Sequence, residues 1–152
     1  MSLMNSLNVS ASGMSAQRTR MDIIAQNIAN VNTTRTEDGS PYYRQTVTMA
    51  ESDNSASFAD LLNAKRANLS INKSLGNGVK ITGIVEDHVT ALKKVYDPSH
   101  PDADEEGYVT YSNVDTVTEM TNLIGATRSY EANVTAFNAT KNMALKGLEL
   151  GQ

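Results

Sequence analysis

Apolar residues recur at heptad spacing near the N-terminus of the chain. One column, at intervals of seven, holds Leu7, Met14, Met21 and Ile28, and a second column three residues further on holds Leu3, Ser10, Gln17, Ile24 and Val31. Such a pattern is typical of a helix that packs lengthwise against another helix. It predicts a helix over residues 3 to about 32, roughly 45 Å long. Because Ser10 and Gln17 are polar, this helix is not half of a strong, self-sufficient coiled coil.

A second heptad pattern runs from about residue 116 to residue 150. Thr116 and Glu119 have the spacing of a capping box, which predicts a helix start. The apolar stripe has a column of Met120, Val134 and Leu148, a column of Leu123, Tyr130, Phe137 and Ala144, and flanking residues Val117, Ile124 and Leu145. We expect the apolar columns of the two helices to pair antiparallel within one chain.

Asparagines occur in both predicted helices at positions outside the apolar columns. They are Asn27, Asn30, Asn32, Asn122, Asn133, Asn138 and Asn142. Asparagine is a mediocre helix former, but its side chain both donates and accepts hydrogen bonds. These faces fit either plain solvated surface or wet contacts with other helices, and spacing alone does not separate the two.

The middle of the chain has the period-two alternation of β-strands. Tyr43, Gln45, Val47 and Met49 alternate with polar residues, as do Val79, Ile81 and Val85. Residues 94–96 and 108–111 predict two more short strands around an acidic, proline-containing loop. The sequence therefore predicts an α+β fold with three parts: an N-terminal helix of an inner core domain (1–34), a β-rich middle domain (35–113) with a polar insertion at 51–76, and a C-terminal core helix (114–152).

Composition excludes several classes of protein. The chain has no cysteine, so it holds no disulfide, thiolate metal site or cysteine nucleophile. Its net charge of −4 gives no basic patch of the kind that binds nucleic acid. No apolar run is long enough to span a membrane, and residues 1–10 lack the pattern of a cleavable signal peptide. With no tryptophan and two phenylalanines, the chain is poor in residues that bury large areas, and we expect partner chains to supply part of the burial.

Two features imitate chemical sites. Residues 102–107 are acidic at alternate positions and end in glycine, like an EF-hand loop, but position twelve is Asn113, which cannot supply the bidentate carboxylate. His100 lies near Asp97 and Asp102, yet the chain has no histidine pair at helical spacing for a metal. We expect a solvated acidic loop, with no metal and no cofactor.

Several short motifs, in order along the chain, resemble signatures of bacterial flagellar rod and hook proteins. Residues 25–33 (AQNIANVNT) resemble the N-terminal signature of that family, and residues 130–133 (YEAN) resemble its C-terminal signature. Residues 35–42 and 95–109 are similar to the proximal rod members. The positions that carry the resemblance are Asn27, Asn30, Asn32, Thr33, Tyr96, Asp97, Pro98, His100, Pro101, Tyr130, Glu131 and Asn133.

The resemblance implies a structural subunit of the proximal rod of the flagellar basal body, and not an enzyme. It would assemble helically through its terminal helices into the torque-transmitting drive shaft around the export channel. The implied location is the periplasmic rod, reached through the flagellar type III export apparatus without a cleaved signal peptide. The implied partners are other copies of the chain, other proximal rod proteins, the rod-to-MS-ring adaptor, distal rod proteins and the export apparatus, with no nucleic acid and no direct membrane span.

On this interpretation, the apolar columns pair the helices within a chain and the asparagine-rich faces contact neighbouring subunits. The residues expected to serve helix pairing and assembly are Leu7, Met14, Met21, Ile24, Ile28, Val31, Met120, Leu123, Ile124, Tyr130, Val134 and Phe137. Two other hypotheses stay open at this point. One is a binding module whose helices clasp a partner helix in a finite complex, as a secretion adaptor would. The other is a hydrolase that uses His100 and nearby carboxylates.

Overall fold

The computed structural model describes residues 3–52 and 78–149, which form two long helices and two small antiparallel sheets. The elements are α1 (Leu3–Ala29), β1 (Gln45–Glu51), β2 (Val79–Glu86), β3 (Lys93–Tyr96), β4 (Tyr108–Tyr111) and α2 (Thr116–Glu149). The predicted α+β class, with a helix at each end and short strands between, is confirmed. The predicted insertion at 51–76 lies outside the described residues from position 53 onward. The division at 34/35 and 113/114 stays a prediction.

Helix α1 ends at Ala29, about three residues earlier than the heptad pattern predicts. The Asn30 amide donates to the Gln26 carbonyl, and the Thr33 hydroxyl donates to the Asn30 side-chain oxygen. These local side-chain bonds favour a turn over another helical turn. Val31 therefore lies beyond the helix, beside Val95, Tyr111 and Val114 in a groove of about 310 Å³.

Helix α2 begins at Thr116 as predicted, but Asp115 caps it and Glu119 does not. The Asp115 carboxylate accepts hydrogen bonds from both the backbone N–H and the hydroxyl of Thr118. Aspartate is among the best residues at this position because it satisfies a free N–H of the first turn. The predicted capping box of Thr116 and Glu119 is wrong, since the Glu119 side chain is 1% exposed and turned to other partners.

The two helices run antiparallel along their length. Asn27, near the end of α1, bonds Glu119 in the first turn of α2, and Gly13 lies against the side chain of Asn133 two heptads further along α2. A Cβ on residue 13 would lie 3.0 Å from the Asn133 amide, so glycine allows the helices to approach closely there.

The face of α2 turned inward is more polar than the sequence pattern predicts. Leu123, Tyr130, Phe137 and Ala144 are all at least partly buried, as expected. The other inward column is Glu119, Ala126, Asn133 and Thr140, one residue out of phase with the predicted column. Met120 is 52% and Leu148 is 71% exposed, so the prediction that they pair with α1 is wrong.

The asparagines also depart from the expected arrangement. Asn27 is fully buried and Asn133 packs on α1, so these two serve contacts within the chain. The assignment of all the asparagine-rich positions to contacts between subunits is therefore wrong for these two.

Strands β1 and β2 form an antiparallel ribbon with a bulge. Thr48 pairs with Gly83 and Met49 pairs with Ile81, so Thr82 is the extra residue on β2. The predicted alternation holds for β1, where Gln45, Val47 and Met49 are half-buried. It fails for β2, which is exposed at every position except Gly83, although the start of the strand lies against α1.

The start of β2 is fixed to α1 by a single serine. The Ser12 hydroxyl donates to the Val9 carbonyl and accepts from the Val79 N–H. Gly78 lies directly on this serine with a φ of 81°, and a Cβ there would overlap the Ser12 oxygen. Only glycine fits this position without a shift of the helix or the strand.

Strands β3 and β4 form a second ribbon, joined by the acidic loop. Asp97 caps Ser99 and Asp104 accepts from the N–H groups of Glu106 and Tyr108, so the carboxylates act as turn-forming acceptors. Tyr96 and Tyr108 contact edge to face with ring centroids 5.3 Å apart. The loop is tied to the turn after α1 by a 2.8 Å hydrogen bond from Thr34 to Asp102.

Few large apolar side chains are buried in the described residues. The buried apolar set is Ala16, Ile23, Ile24, Tyr42, Val109, Val114 and Ala126. No described helix has an apolar stretch sufficient to cross a lipid bilayer.

Candidate assembly surface and the junction behind it

The residues predicted for helix pairing in α1 mostly lie where expected. Ile24 is 5% exposed, and Leu7, Met14, Met21 and Ile28 are half-buried. In α2, Leu123, Tyr130, Val134 and Phe137 are half-buried as well. The structure thus brings one apolar column of each helix to the inside of the chain.

The remaining predicted residues, Met120 and Ile124, lie on the outside of α2. They are 52% and 56% exposed, and Val117 beside them is 73% exposed. Their spacing of three and four residues places all three on one side of the helix, which we call the outward row. Near the other end of α2, Leu145 and Leu148 are 49% and 71% exposed. Contiguous exposed apolar side chains of this kind mark contact surfaces.

The residues of the family resemblance fall into three groups. Asn30, Asn32 and Thr33 form the turn after α1. Tyr96 ends β3, and Asp97, Pro98, His100 and Pro101 follow it in the loop. Tyr130, Glu131 and Asn133 lie in mid-α2. Asn27 stands apart, because it is buried at the point where both helices and β1 meet.

The Asn27 side chain makes four hydrogen bonds. Its Nδ2 donates to the Gln45 carbonyl at 2.8 Å and to Glu119 Oε2 at 3.1 Å. Its Oδ1 accepts from the Tyr42 hydroxyl at 2.9 Å and from the Gln45 N–H at 2.9 Å. All the hydrogen-bonding capacity of the amide is therefore used, as a buried polar group requires.

Glu119 is a buried carboxylate. Among the described residues, Arg44 is the cation that pairs with it. Its Oε1 accepts from Arg44 Nε at 3.0 Å and Nη2 at 2.8 Å, and from the Asn122 amide at 3.3 Å. Arg44 is 25% exposed and also lies 3.9 Å from the Asp87 carboxylate. Burial, with the charges of Glu86 and Glu119, raises the pKa of Tyr42, which keeps its hydroxyl a donor to Asn27.

Asn113 extends these contacts to both ribbons. Its Oδ1 accepts from the Arg44 N–H at 2.8 Å, and its Nδ2 donates to the carbonyls of Asp87 at 2.7 Å and Thr90 at 3.1 Å. Asn27, Tyr42, Arg44, Asn113 and Glu119 together form what we call the junction network.

Sequence reasoning missed most of this network. Asn27 stands out in the sequence through the family resemblance and as one of the helix asparagines. Arg44 has no predicted role, and the spacing of Glu119 predicts a capping residue. The signal in the sequence is the heptad spacing of Glu119 with Ala126, Asn133 and Thr140, which identifies a second inward column.

The acidic loop shows no arrangement of a metal or catalytic site. Within residues 3–52 and 78–149 no three histidine or acidic side chains converge on one point. The His100 Nδ1 accepts the N–H of Asp102, and Asp97 is bonded to Ser99, which lowers the pKa of the Asp97 carboxyl. These groups stabilise the loop itself.

Two family models match the two ends of the chain. A family described as "Flagella basal body rod protein" matches residues 7–35, and one described as "Flagellar basal body rod FlgEFG protein C-terminal" matches residues 105–150. The chain is 47% identical, over the whole of both proteins, to the "Flagellar basal-body rod protein FlgC" of Bacillus subtilis. It is 40% identical to the protein of that name from Borreliella burgdorferi, covering all of this chain and 99% of the relative.

A more distant relative extends the match. The "Flagellar basal-body rod protein FlgC" of Salmonella typhimurium is 35% identical, again over the full length of both chains. The matches include the turn after α1, the β3–β4 ribbon and α2, so the resemblance drawn from the motifs is confirmed. The chain belongs to the FlgC family of flagellar basal-body rod proteins.

Proposed function

We propose that this chain is a structural subunit of the flagellar basal-body rod that assembles helically through the outer surfaces of its terminal helices. It acts by geometry, as part of the drive shaft that transmits torque around the export channel, and carries out no reaction. The observation that supports this most is the outward row of Val117, Met120 and Ile124, which the chain itself leaves exposed.

The energetics of the chain favour assembly. Burying a methionine or isoleucine side chain contributes about 1.5–3 kcal/mol, and this free energy is not gained at the outward row of a single chain. Little apolar area is buried inside the chain to compensate, because the inward column consists of Glu119, Ala126, Asn133 and Thr140. Neighbouring rod subunits would cover the exposed positions, so we assign Met120 and Ile124 to contacts between subunits.

We propose further that the helix pair is an antiparallel coiled coil. Its α2 columns are Leu123, Tyr130, Phe137 and Ala144 beside Glu119, Ala126, Asn133 and Thr140, which have strict heptad spacing. The helix pair would form the inner core of the rod, and the two ribbons would form its outer part. The partners proposed are further copies, other proximal rod proteins, the rod-to-MS-ring adaptor, distal rod proteins and the type III export apparatus, in the periplasm.

The test replaces both Met120 and Ile124 by lysine in a motile strain that carries no other copy of the gene. Because both side chains are more than half exposed, the free energy of unfolding of the isolated chain should change by less than about 1 kcal/mol. Rods should fail to form, because the lysine charges would be buried in the contact. Electron microscopy of basal bodies and swimming in soft agar are the readouts.

The matched control is Met120→Leu with Ile124→Val, which changes the same two positions and keeps both apolar. It should swim like the parent. Normal rods in the Met120→Lys, Ile124→Lys double variant would contradict the proposal that this row is an assembly contact.

A further inference from the structure

Apolar packing does little to orient the β3–β4 ribbon relative to the helices. The β1–β2 ribbon lies along α1, but within the described residues the backbones of β3 and β4 run against neither helix nor the β1–β2 ribbon. Val109 and Val114 are the fully buried apolar side chains near the second ribbon. A two-stranded ribbon is marginal by itself, so its direction must be set by whatever connects it to the rest of the chain.

Several polar connections of the ribbons meet at one amide. Asn113, just after β4, bonds the N–H of Arg44 before β1 and the carbonyl of Asp87 after β2. It also bonds the carbonyl of Thr90, before β3. The Asn113 side chain therefore joins the residues on either side of the first ribbon to the residues on either side of the second ribbon.

From this amide the contacts pass directly to the helices. Arg44, whose N–H bonds Asn113, carries the guanidinium that bonds Glu119 of α2 at 2.8 Å. Glu119 in turn accepts from Asn27 of α1, which also bonds both backbone groups of Gln45 at the start of β1. Each connection is a hydrogen bond of narrow angular tolerance, and two of them are charge-assisted.

A buried ion pair of this type is a poor source of net stability. Removing both charges from water costs about as much as their attraction returns, and apolar replacements of similar volume are often neutral or stabilising. Directional bonds nevertheless restrict the geometry in a way that apolar contacts do not.

We propose that the junction network fixes the angle between the helix pair and the β3–β4 ribbon, with Glu119 and Asn113 as positioning residues. The fold survives without the ion pair, but this ribbon loses its single orientation. On the proposed rod function, this orientation presents the ribbon to neighbouring rod components. The claim about the angle itself does not depend on that function.

Pulsed electron paramagnetic resonance on the full chain tests the angle. The chain has no cysteine, so Arg128→Cys in α2 and Glu105→Cys in the β3–β4 loop, both exposed, give two unique spin-label positions. The distance distribution between these labels is compared in the parent, in Arg44→Met with Glu119→Leu, and in Asn113→Ala. The control is Glu86→Gln, which removes only the exposed partner of His88.

The parent and the Glu86→Gln control should give the same narrow distribution. Arg44→Met with Glu119→Leu should still unfold cooperatively, with a thermal midpoint lowered by less than about 12 °C because one N–H of Asn27 loses its acceptor, while the distribution broadens clearly. Asn113→Ala keeps the ion pair and should broaden the distribution too, because the ribbons lose their shared contact. This variant decides the matter if the double variant does not fold.

A distribution in Asn113→Ala as narrow as that of the parent would overturn the proposal, as would a parent that is already broad. Because the labels report on the chain itself, either result leaves the rod function standing. If the chain did not enter rods, the proposed function would be wrong, and the label distances would be unchanged.

Discussion

Replacing Asn27 by alanine would leave four groups without their partner: the hydroxyl of Tyr42, both backbone groups of Gln45, and Glu119 Oε2. A buried polar group left unsatisfied costs about 1–3 kcal/mol. Water entering the vacated volume would satisfy some of these groups, and Glu119 keeps Arg44. We therefore expect the free energy of unfolding to fall by about 3–4 kcal/mol, a large part of the 5–15 kcal/mol typical of a domain.

Urea unfolding followed by circular dichroism at a helix band measures this loss, provided that the slope with denaturant stays constant. The control is Asn138→Ala, an exposed position in mid-α2 with no side-chain bond in the structure. That variant should be unchanged or slightly stabilised, since alanine is the better helix former. A loss below about 1 kcal/mol for Asn27→Ala would refute the view that this amide is fully engaged in the folded chain.

Two further predictions concern the helices. Hydrogen bonds from Thr118 lower the pKa of the Asp115 carboxyl below its ordinary 3.8, so the stability that this carboxylate contributes is present above that value and lost as the pH falls through the folded pKa. Asp115→Asn keeps a good cap but should lose less thermal stability than the parent between pH 7 and pH 3. An equal loss in the two proteins would contradict this. Gly125→Ala should raise stability by about 0.5–1 kcal/mol because nothing lies within 4 Å of the new Cβ, whereas Gly13→Ala should gain nothing because its Cβ meets Asn133 at 3.0 Å. Equal stabilisation of the two variants in thermal melts would show that the helices are not in close contact at Gly13.

The long-period features of the fold could be predicted from the sequence. Both helices, the strand β1 and the β3–β4 ribbon follow from heptad and period-two spacing, since each spacing reports which side of an element faces away from water. The column of Leu123, Tyr130 and Phe137 is half-buried in the structure, and its role in pairing the helices stays a prediction.

The second inward column could not be predicted in this way. Two columns of α2 have heptad spacing and differ by one residue, and in the more apolar one Met120 and Leu148 are exposed while Val134 is half-buried. Periodicity identifies apolar faces but not what covers them. In a chain that assembles, the more apolar face can be the one kept for a neighbour.

The junction network was beyond sequence reasoning for a different reason. Glu119 is buried because Arg44 lies 75 positions earlier in the chain and reaches it across the fold. No local pattern indicates a partner at that separation. For β2 the sequence predicts more burial than the structure has. Its alternation is that of a half-buried strand, but the structure of the single chain leaves both faces exposed.

On the proposed function, the terminal helices are the assembly elements of a rod subunit. An electron cryomicroscopy map of the assembled basal body, resolved well enough to place α1 and α2, is the decisive test. Both helices should line the inner wall of the rod, facing the channel, with Met120 and Ile124 covered by neighbouring subunits. Helices on the outer surface of the rod, with those two side chains still in solvent, would contradict it.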